Sequence, residues 1–223
     1  MPSDGPLEES RPRLNRERVL TAALALADEE GIESLTMRRL GQALGVEAMS
    51  LYNHVANKED LLDGIIDMVF AEIELPAAGA EWKSAMGDRA RSLRAALVRH
   101  RWAIGLMDSR TSPGPATLRH HDAVIGCSRK AGFSIEMSAH AFSLIDSYVY
   151  GFVLQEVTLP FDDNDDLDDM VGPILPNVQA GDHPYLAELT VEHVLQVGYN
   201  YASEFDFGLA LILDALESAP APD

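Results

Sequence analysis

The chain has 223 residues, with 17 Lys and Arg against 36 Asp and Glu, a net charge of −19 and a single cysteine. That length allows one or two domains with a real core, and the charge excludes a coat protein that binds nucleic acid regardless of sequence, since an acidic surface repels phosphates. There is no apolar run of 18 residues, no signal-peptide pattern and no disulfide partner for Cys127, so the expectation is a cytoplasmic protein with no membrane partner, no zinc site and no cofactor.

The acid is unevenly spread. Residues 11–58 hold seven Lys/Arg against six Asp/Glu, whereas residues 59–223 hold ten against 27. A near-neutral N-terminal segment on a strongly acidic body suits binding to DNA in one orientation only.

Residues 1–13 are rich in Pro, Ser and Glu without an apolar period, and read as a mobile arm. Arg11 and Arg13 are either minor-groove contacts or part of a solvated tail. Leu14 and Val19 bracket Asn15 as staple and N-cap of a first helix running to about Glu30, with Ala23, Leu26 and Ala27 inward and Gly31 as its stop. Thr36 caps a second helix, stapled by Leu35 and Leu40, with Leu40 and Leu44 inward and Gly45 as terminator. A third is predicted from about Ala48 to Val55, stapled by Val46 and Leu51, with Leu51 and Val55 inward. Helix, Gly-containing turn, helix is the helix-turn-helix layout, whose second helix enters the DNA major groove. Ala48, Met49, Ser50, Tyr52, Asn53 and His54 then form an outward surface suited to base edges, thymine methyls and phosphates. Arg38, Arg39 and Lys58 flank it where phosphates would lie. Taken alone, the same pattern also fits a plain helical hairpin.

Asn57 caps a fourth helix with Glu59 and Asp60 in its first turn, and its apolar period from Leu61 to Ile73 carries on to Leu75 before Pro76. Beyond it the pattern is helical throughout, with candidates at Trp82–Trp102, Ile104–Met107, Pro115–Ala131, Ser134–Val157, Pro184–Val197 and Asn200–Ser218. Residues 160–183 are acidic and broken by Pro and Gly, and read as a long loop. The loop begins Asp162-x-Asn164-x-Asp166, but a calcium hand starting there meets Leu167 and Pro173 where Gly and Glu belong. The fold class expected is all-α. An arm (1–13) precedes a three-helix helix-turn-helix DNA-binding domain (14–58) and a larger ligand-binding and dimerisation domain (59–218), joined by a linking helix (57–75), with a short tail (219–223).

Several runs carry a family resemblance. They are Arg18-Val19-Leu20, Ala23-Leu24-x-Leu26, Glu30-Gly31-Ile32, Leu35 to Leu40, Leu44-Gly45-Val46, Leu51 to Val55 and Asn57-Lys58-x-x-Leu61-Leu62. Over about 45 residues in one ungapped stretch the chain resembles the N-terminal domain of the tetracycline-repressor (TetR) family of bacterial regulators. The resemblance implies that Arg38, Ser50, Tyr52, His54 and Lys58 face DNA. It also implies a different operator, because Ala48 and Met49 stand where the tetracycline repressors carry Gln and Pro. Looser landmarks follow in the body at Leu75-Pro76-Ala77-Ala78-Gly79-x-x-Trp82, Leu97-Val98-x-His100-Arg101, Ala131 to Ser134 and Phe207-Gly208-Leu209-x-Leu211-Ile212. They resemble the ligand-binding domain of the same subgroup, in which the helices placed here at 134–157 and 200–218 pair across a two-fold axis.

Two apolar stripes suit that pairing: Phe142, Ile145, Val149 and Phe152/Val153, and Phe205, Leu209, Ile212, Leu213 and Leu216. Each fits ordinary core equally well. A homodimer on a near-palindromic DNA operator is expected because one reading helix contacts too few bases, and such units work in pairs about 34 Å apart. A pocket for a small-molecule effector is expected between the body helices, with Leu93, Leu97, His100, Trp102, Met107, Ile125, Phe142, Asp146, Tyr150 and Gln155 as candidate lining. Plain core packing competes at each position. The resemblance also argues against tetracycline–magnesium as effector: a metal-binding His falls near Met107, a poor ligand for a hard cation, and a carboxylate falls near Gln155, beside Glu156. His120-His121 with His100 or His140 is a weak metal pattern, since neighbours on a helix point about 100° apart. Without a nucleophile elbow or phosphate-cradling loop the chain does not read as an enzyme. A ligand-released repressor is expected, and a DNA-binding adaptor with a protein-binding body is the alternative.

Overall fold

The computed structural model describes residues 13–77, 79–107, 109–159, 182–196 and 198–219. These residues form nine α-helices and no strand. Helix α1 (Arg16–Glu30) begins where the Asn15 side chain accepts from the Arg18 amide at 2.8 Å, and it ends at Gly31. Helix α2 (Met37–Leu44) is capped by Thr36, whose hydroxyl accepts from the Arg39 amide at 3.2 Å. It stops on Gly45, which takes the left-handed conformation (φ 67°, ψ 34°) that an L side chain resists.

Helix α3 (Ala48–Leu51) is shorter than the predicted 48–55. After Leu51 the backbone ladder tightens: the Asn53 and His54 amides reach back three residues, to Ser50 (3.4 Å) and Leu51 (2.8 Å), and Val55 closes on Leu51 at 3.0 Å. Leu51 and Val55 still point into the core, so the shorter element keeps its inner face.

Helix α4 (Lys58–Glu72) starts at the Asn57 cap and stops short of Leu75, because Ile73 turns extended and the Glu74 amide is captured by the Ser92 hydroxyl at 2.8 Å. Helix α5 (Trp82–Arg99) ends before Trp102, where His100 leaves the helical conformation and Arg101–Ala103 makes a 3₁₀ turn. Residues Ile104–Met107 continue as hydrogen-bonded turns rather than as a helix. Helices α6 (Pro115–Lys130) and α7 (Ile135–Glu156) follow, the second capped by Ser134. The helix predicted over 184–197 is split into α8 (Pro184–Leu189) and a π turn at Thr190–Val194. Helix α9 (Ala202–Ser218) closes the described fold. The expected arm at 1–12, nearly all of the acidic loop (160–181) and the last four residues of the tail lie outside the described residues.

Two apolar clusters share α4. Its first half, Leu61, Leu62 and Ile65, packs with Val19, Leu26, Leu35, Leu40, Leu51 and Val55 in the head. Its second half, Ile66, Val69 and Phe70, together with Ile73 just past its end, joins the body cluster to which α5, α6, α7 and α9 contribute. A helix anchored in both cores cannot tilt without disturbing each, because close-packed interiors transmit displacement.

Of the two readings open for the apolar stripes, interface or ordinary core, most of their residues are core within this chain, with Phe142 and Ile212 half-buried. Ile145, Val149, Val153, Phe205 and Leu209 are fully buried, since α7 and α9 pack on each other within one chain. Tyr148 stacks on Phe205 (5.5 Å between centroids) and donates to its carbonyl at 2.9 Å. The opposite faces carry the exposed apolar residues Leu144 and Leu154 on α7, and Phe207 and Leu211 on α9.

Candidate nucleic-acid interface and effector chamber

The reading surface depends on how tightly α2 and α3 approach. A Cβ on Gly41 would sit 2.9 Å from the Val46 carbonyl oxygen and 3.2 Å from the Ala48 amide nitrogen, so only glycine allows the contact. Sequence reasoning passed over Gly41. Its one signal was a glycine four residues before the helix-ending Gly45.

Met49 is 75% exposed and Tyr52 45% exposed. Asn53, Lys58 and Arg38 are also exposed, while Ala48, Ser50 and His54 are half-buried. The local chain therefore turns the eight candidate DNA-facing residues at least partly outward. The cations divide by role. Arg16 crosses from α1 to the Asp60 carboxylate (2.6 and 2.9 Å) and to the His54 carbonyl (3.0 Å), bracing the turn after α3. This hydrogen bond holds Asp60 below the ordinary carboxylate range. Arg39 pairs with Glu30. Among the described residues Arg38 and Lys58 have no ion-pair partner, which leaves both charges available to phosphate.

Where head meets body, the buried His100 ring lies between the carboxylates of Asp28 on α1 (2.8 Å) and Glu72 on α4 (3.2 Å). The Trp102 indole N–H donates to the same Asp28 at 2.7 Å. These two candidate pocket residues therefore serve the seam, because buried polar tips go where partners are.

The ten pocket candidates do not form one cluster. Leu93 and Leu97 are core, Ile125 is exposed, Tyr150 packs half-buried against the core, and Gln155 is exposed and accepts from Tyr201 at 2.8 Å. Met107 lines a cavity of about 170 Å³ between α4 and the N-terminus of α6, together with Asp63, Ile66, Arg110, Ser112, Pro113, Gly114, Thr117 and His121. Carboxylates from α4 frame this cavity. Asp63 and Glu59 hold Arg110 at 2.6 and 2.7 Å. Burial draws the Arg110 guanidinium down, but its two acidic partners leave it above its ordinary value. Asp67 accepts from the Thr117 amide (2.8 Å) and hydroxyl (2.9 Å) and so caps α6. A Cβ on Gly114 would collide with that carboxylate.

Asp146 and Phe142 belong to a second cluster deeper in the body. Asp146 is bridged by both terminal nitrogens of Arg89, which is 1% exposed, and the Arg89 Nε donates to His120 Nε2 at 3.0 Å. Phe142 packs edge-on to His121 at 5.3 Å, beneath the Arg89 guanidinium. Burial, then the nearby Arg89 charge and His121, hold His120 down at about 3, so its ring is neutral. Arg89 was missed as a candidate. It shares an inner helical stripe with Met86, Ala90 and Leu93, and a cation on such a stripe signals a buried partner. Among the described residues no three His, Cys, Asp or Glu side chains gather as metal ligands.

Comparison with known proteins agrees with this arrangement. Residues 19–65 match the tetR family of bacterial regulatory proteins, and residues 75–219 match the tetracyclin repressor-like C-terminal domain. The HTH-type transcriptional repressor DrrR1 of Streptomyces coeruleorubidus is 33% identical over 233 residues, covering 97% of this chain and 80% of that protein. The class D tetracycline repressor protein of Escherichia coli is 37% identical over 147 residues, covering 65% of this chain and 67% of the repressor. The crystal structure of the Streptomyces coelicolor TetR family protein ActR in complex with actinorhodin superposes with a TM-score of 0.75 at 26% identity, covering 93% of this chain and all of that one. An N-terminal helix-turn-helix, a helical body of matching order and a helix shared between their cores thus meet in one conclusion: the chain belongs to the tetR family of bacterial regulatory proteins.

Proposed function

We propose that the protein is a homodimeric transcriptional repressor that releases a palindromic operator when a small molecule other than tetracycline–magnesium enters its body, acting in the cytoplasm where its DNA lies. The observation that carries the reading is the double engagement of α4. Its first residues border the reading surface, and its Asp63 and Asp67 hold the Arg110 and Thr117 rim of the cavity. A molecule in that cavity competes for the same carboxylates, so occupancy and the tilt of the head share one equilibrium. Linkage then requires ligand and operator to weaken each other by the same factor.

Similarity to named repressors supports the sign of regulation, and the cavity favours an effector-binding protein over an adaptor whose body binds only another protein. The thioether of Met107 in the cavity wall argues against a magnesium chelate. Leu144, Leu154, Phe207 and Leu211 supply an apolar surface for the second copy.

The test is capture of the native promoter fragment in a mobility-shift titration. Tyr52→Ala combined with Lys58→Ala is expected to weaken capture by at least tenfold without changing the melting temperature, and unchanged capture sinks the reading. Sedimentation of the free protein as a monomer, on and off DNA, removes the dimer.

A further inference from the structure

The seam between head and body holds a ring whose two nitrogens face the same kind of partner. The half-buried Leu24, Trp102 and Leu106 pack against both apolar clusters, and His100, 2% exposed, is enclosed at the same seam. His100 Nδ1 lies 2.8 Å from Asp28 Oδ1 on α1, and its Nε2 lies 3.2 Å from Glu72 Oε2 on α4. An ionised carboxylate only accepts. Trp102 Nε1 donates to that same Asp28 oxygen at 2.7 Å, and Arg99 donates to that same Glu72 oxygen, so both carboxylates are held as acceptors. Both ring nitrogens must then donate, which only the doubly protonated, positively charged ring can do. His100 also stands just past the end of α5, where its amide closes on the Ala96 carbonyl at 2.8 Å and the helix dipole favours positive charge. Asp28 from α1, Glu72 from α4 and, through Glu72, Arg99 from α5 are the charged groups set around the ring.

We infer that His100 is a positioning residue for operator reading, tying the head to the body only while its ring carries both protons, so that operator affinity falls as pH rises. The assignment rests on the operator-binding reading above and adds a regulator to it, the proton. Loss of either proton turns a lone pair towards a carboxylate and frees α1 or α4 from the end of α5. A loosened head samples more orientations, and apparent affinity drops by the fraction that remains competent. Linkage then requires operator binding to take up a proton at the seam.

The experiment measures capture of the native promoter fragment by the full-length chain at fixed salt between about pH 6 and about pH 8, where histidine ordinarily changes charge. His54, in the reading turn, is common to all the chains compared, so only differences between chains are read. Over that range the natural chain is expected to lose about tenfold more affinity than His100→Gln, which has no ring proton to lose and should stay near the natural chain's weaker, high-pH level. In Glu72→Gln the new amide donates to Nε2 and satisfies the neutral ring, so capture should hold near the natural chain's tighter, low-pH level throughout. A purely structural role weakens capture in both variants alike. Imidazole nitrogen NMR of the isotopically labelled natural chain should show both His100 nitrogens protonated at the acid end. Thermal melts establish that the variants are folded; if His100→Gln does not fold, Glu72→Gln and the ring spectrum decide. A bare ring nitrogen at the acid end, equal pH slopes in the natural chain and His100→Gln, or weakened capture in Glu72→Gln overturns the assignment. Any of these with promoter capture intact removes the His100 assignment alone, whereas no capture at any pH removes the regulator reading and the assignment with it.

Discussion

The head and the body use their cations in opposite ways. In the head, Arg38 and Lys58 stay exposed without acidic partners among the described residues, and Arg16 and Arg39 are held in ion pairs at the surface. In the body, Arg89 is sealed between Asp146 and His120, and Arg94 pairs with Glu156 while lying over the ring of Phe205. A surface that meets phosphate gains from free positive charge, because each neutralised phosphate releases counterions. A chamber between helices needs its charges matched, because an unpaired buried ion costs several kcal/mol. The −19 net charge is therefore a poor guide to either site. What matters is which cations have already been taken by acids.

Breaking the buried pair should show the contrast most strongly. Arg89→Ala is expected to cost about 3–5 kcal/mol in urea unfolding, since it strands Asp146 in the core. Arg89→Met combined with Asp146→Leu should recover most of that loss; if the single variant is as stable as the natural chain, the body does not depend on charge matching.

Next come the two close approaches, one in each region. Gly41→Ala and Gly114→Ala should each cost about 1–3 kcal/mol by overpacking, read from thermal melts. They separate on a second change. Asp67→Ala should relieve the Gly114→Ala clash, which is with a side chain, whereas Gly41→Ala meets the backbone of Val46 and Ala48 and has no such remedy.

Acid provides a third test. His120 titrates at about 3 in the fold against 6.5 ordinarily, so the unfolded chain takes up the proton first. Its contribution is complete above pH 6.5 and declines by about 1.4 kcal/mol per pH unit as pH falls towards 3. His120→Gln should be less acid-sensitive than the natural chain by that slope, with the carboxylates cancelling between the two.

The smallest effect belongs to the surface. Arg16→Ala should cost roughly 1 kcal/mol or less, because the Arg16–Asp60 pair is partly solvated. Asp60 lies below its usual range, so this contribution is present above the ordinary carboxylate pKa and fades as pH falls through the lowered one. A loss as large as that of Arg89→Ala would erase the distinction between the regions.

Much of the head could be read from residues close in the chain. Asn15, Thr36 and Asn57 cap their helices through amides three residues on, and Gly45 ends α2 through its own backbone. The end of α3 was misplaced because a tightening ladder leaves little trace in an apolar period. In the body, amphipathic stripes were legible but their partners were not. A stripe states that a face is covered without saying by what, so the inner faces of α7 and α9 fitted ordinary core and an interface between copies equally well. The bonds of His100 and Trp102 to Asp28 were hidden for the same reason, since Asp28 lies 72 and 74 residues away in the chain.

The amino-acid order alone determined where most helices begin, which faces are apolar and where the acid accumulates, because caps, periods and glycines act within a few residues. Folding in three dimensions decided which apolar face became core, which cations remained free, and that Arg89 meets residues 31 and 57 positions distant. Those outcomes depend on desolvation and on mutual fit between segments far apart in the chain, and only the assembled helices settle them.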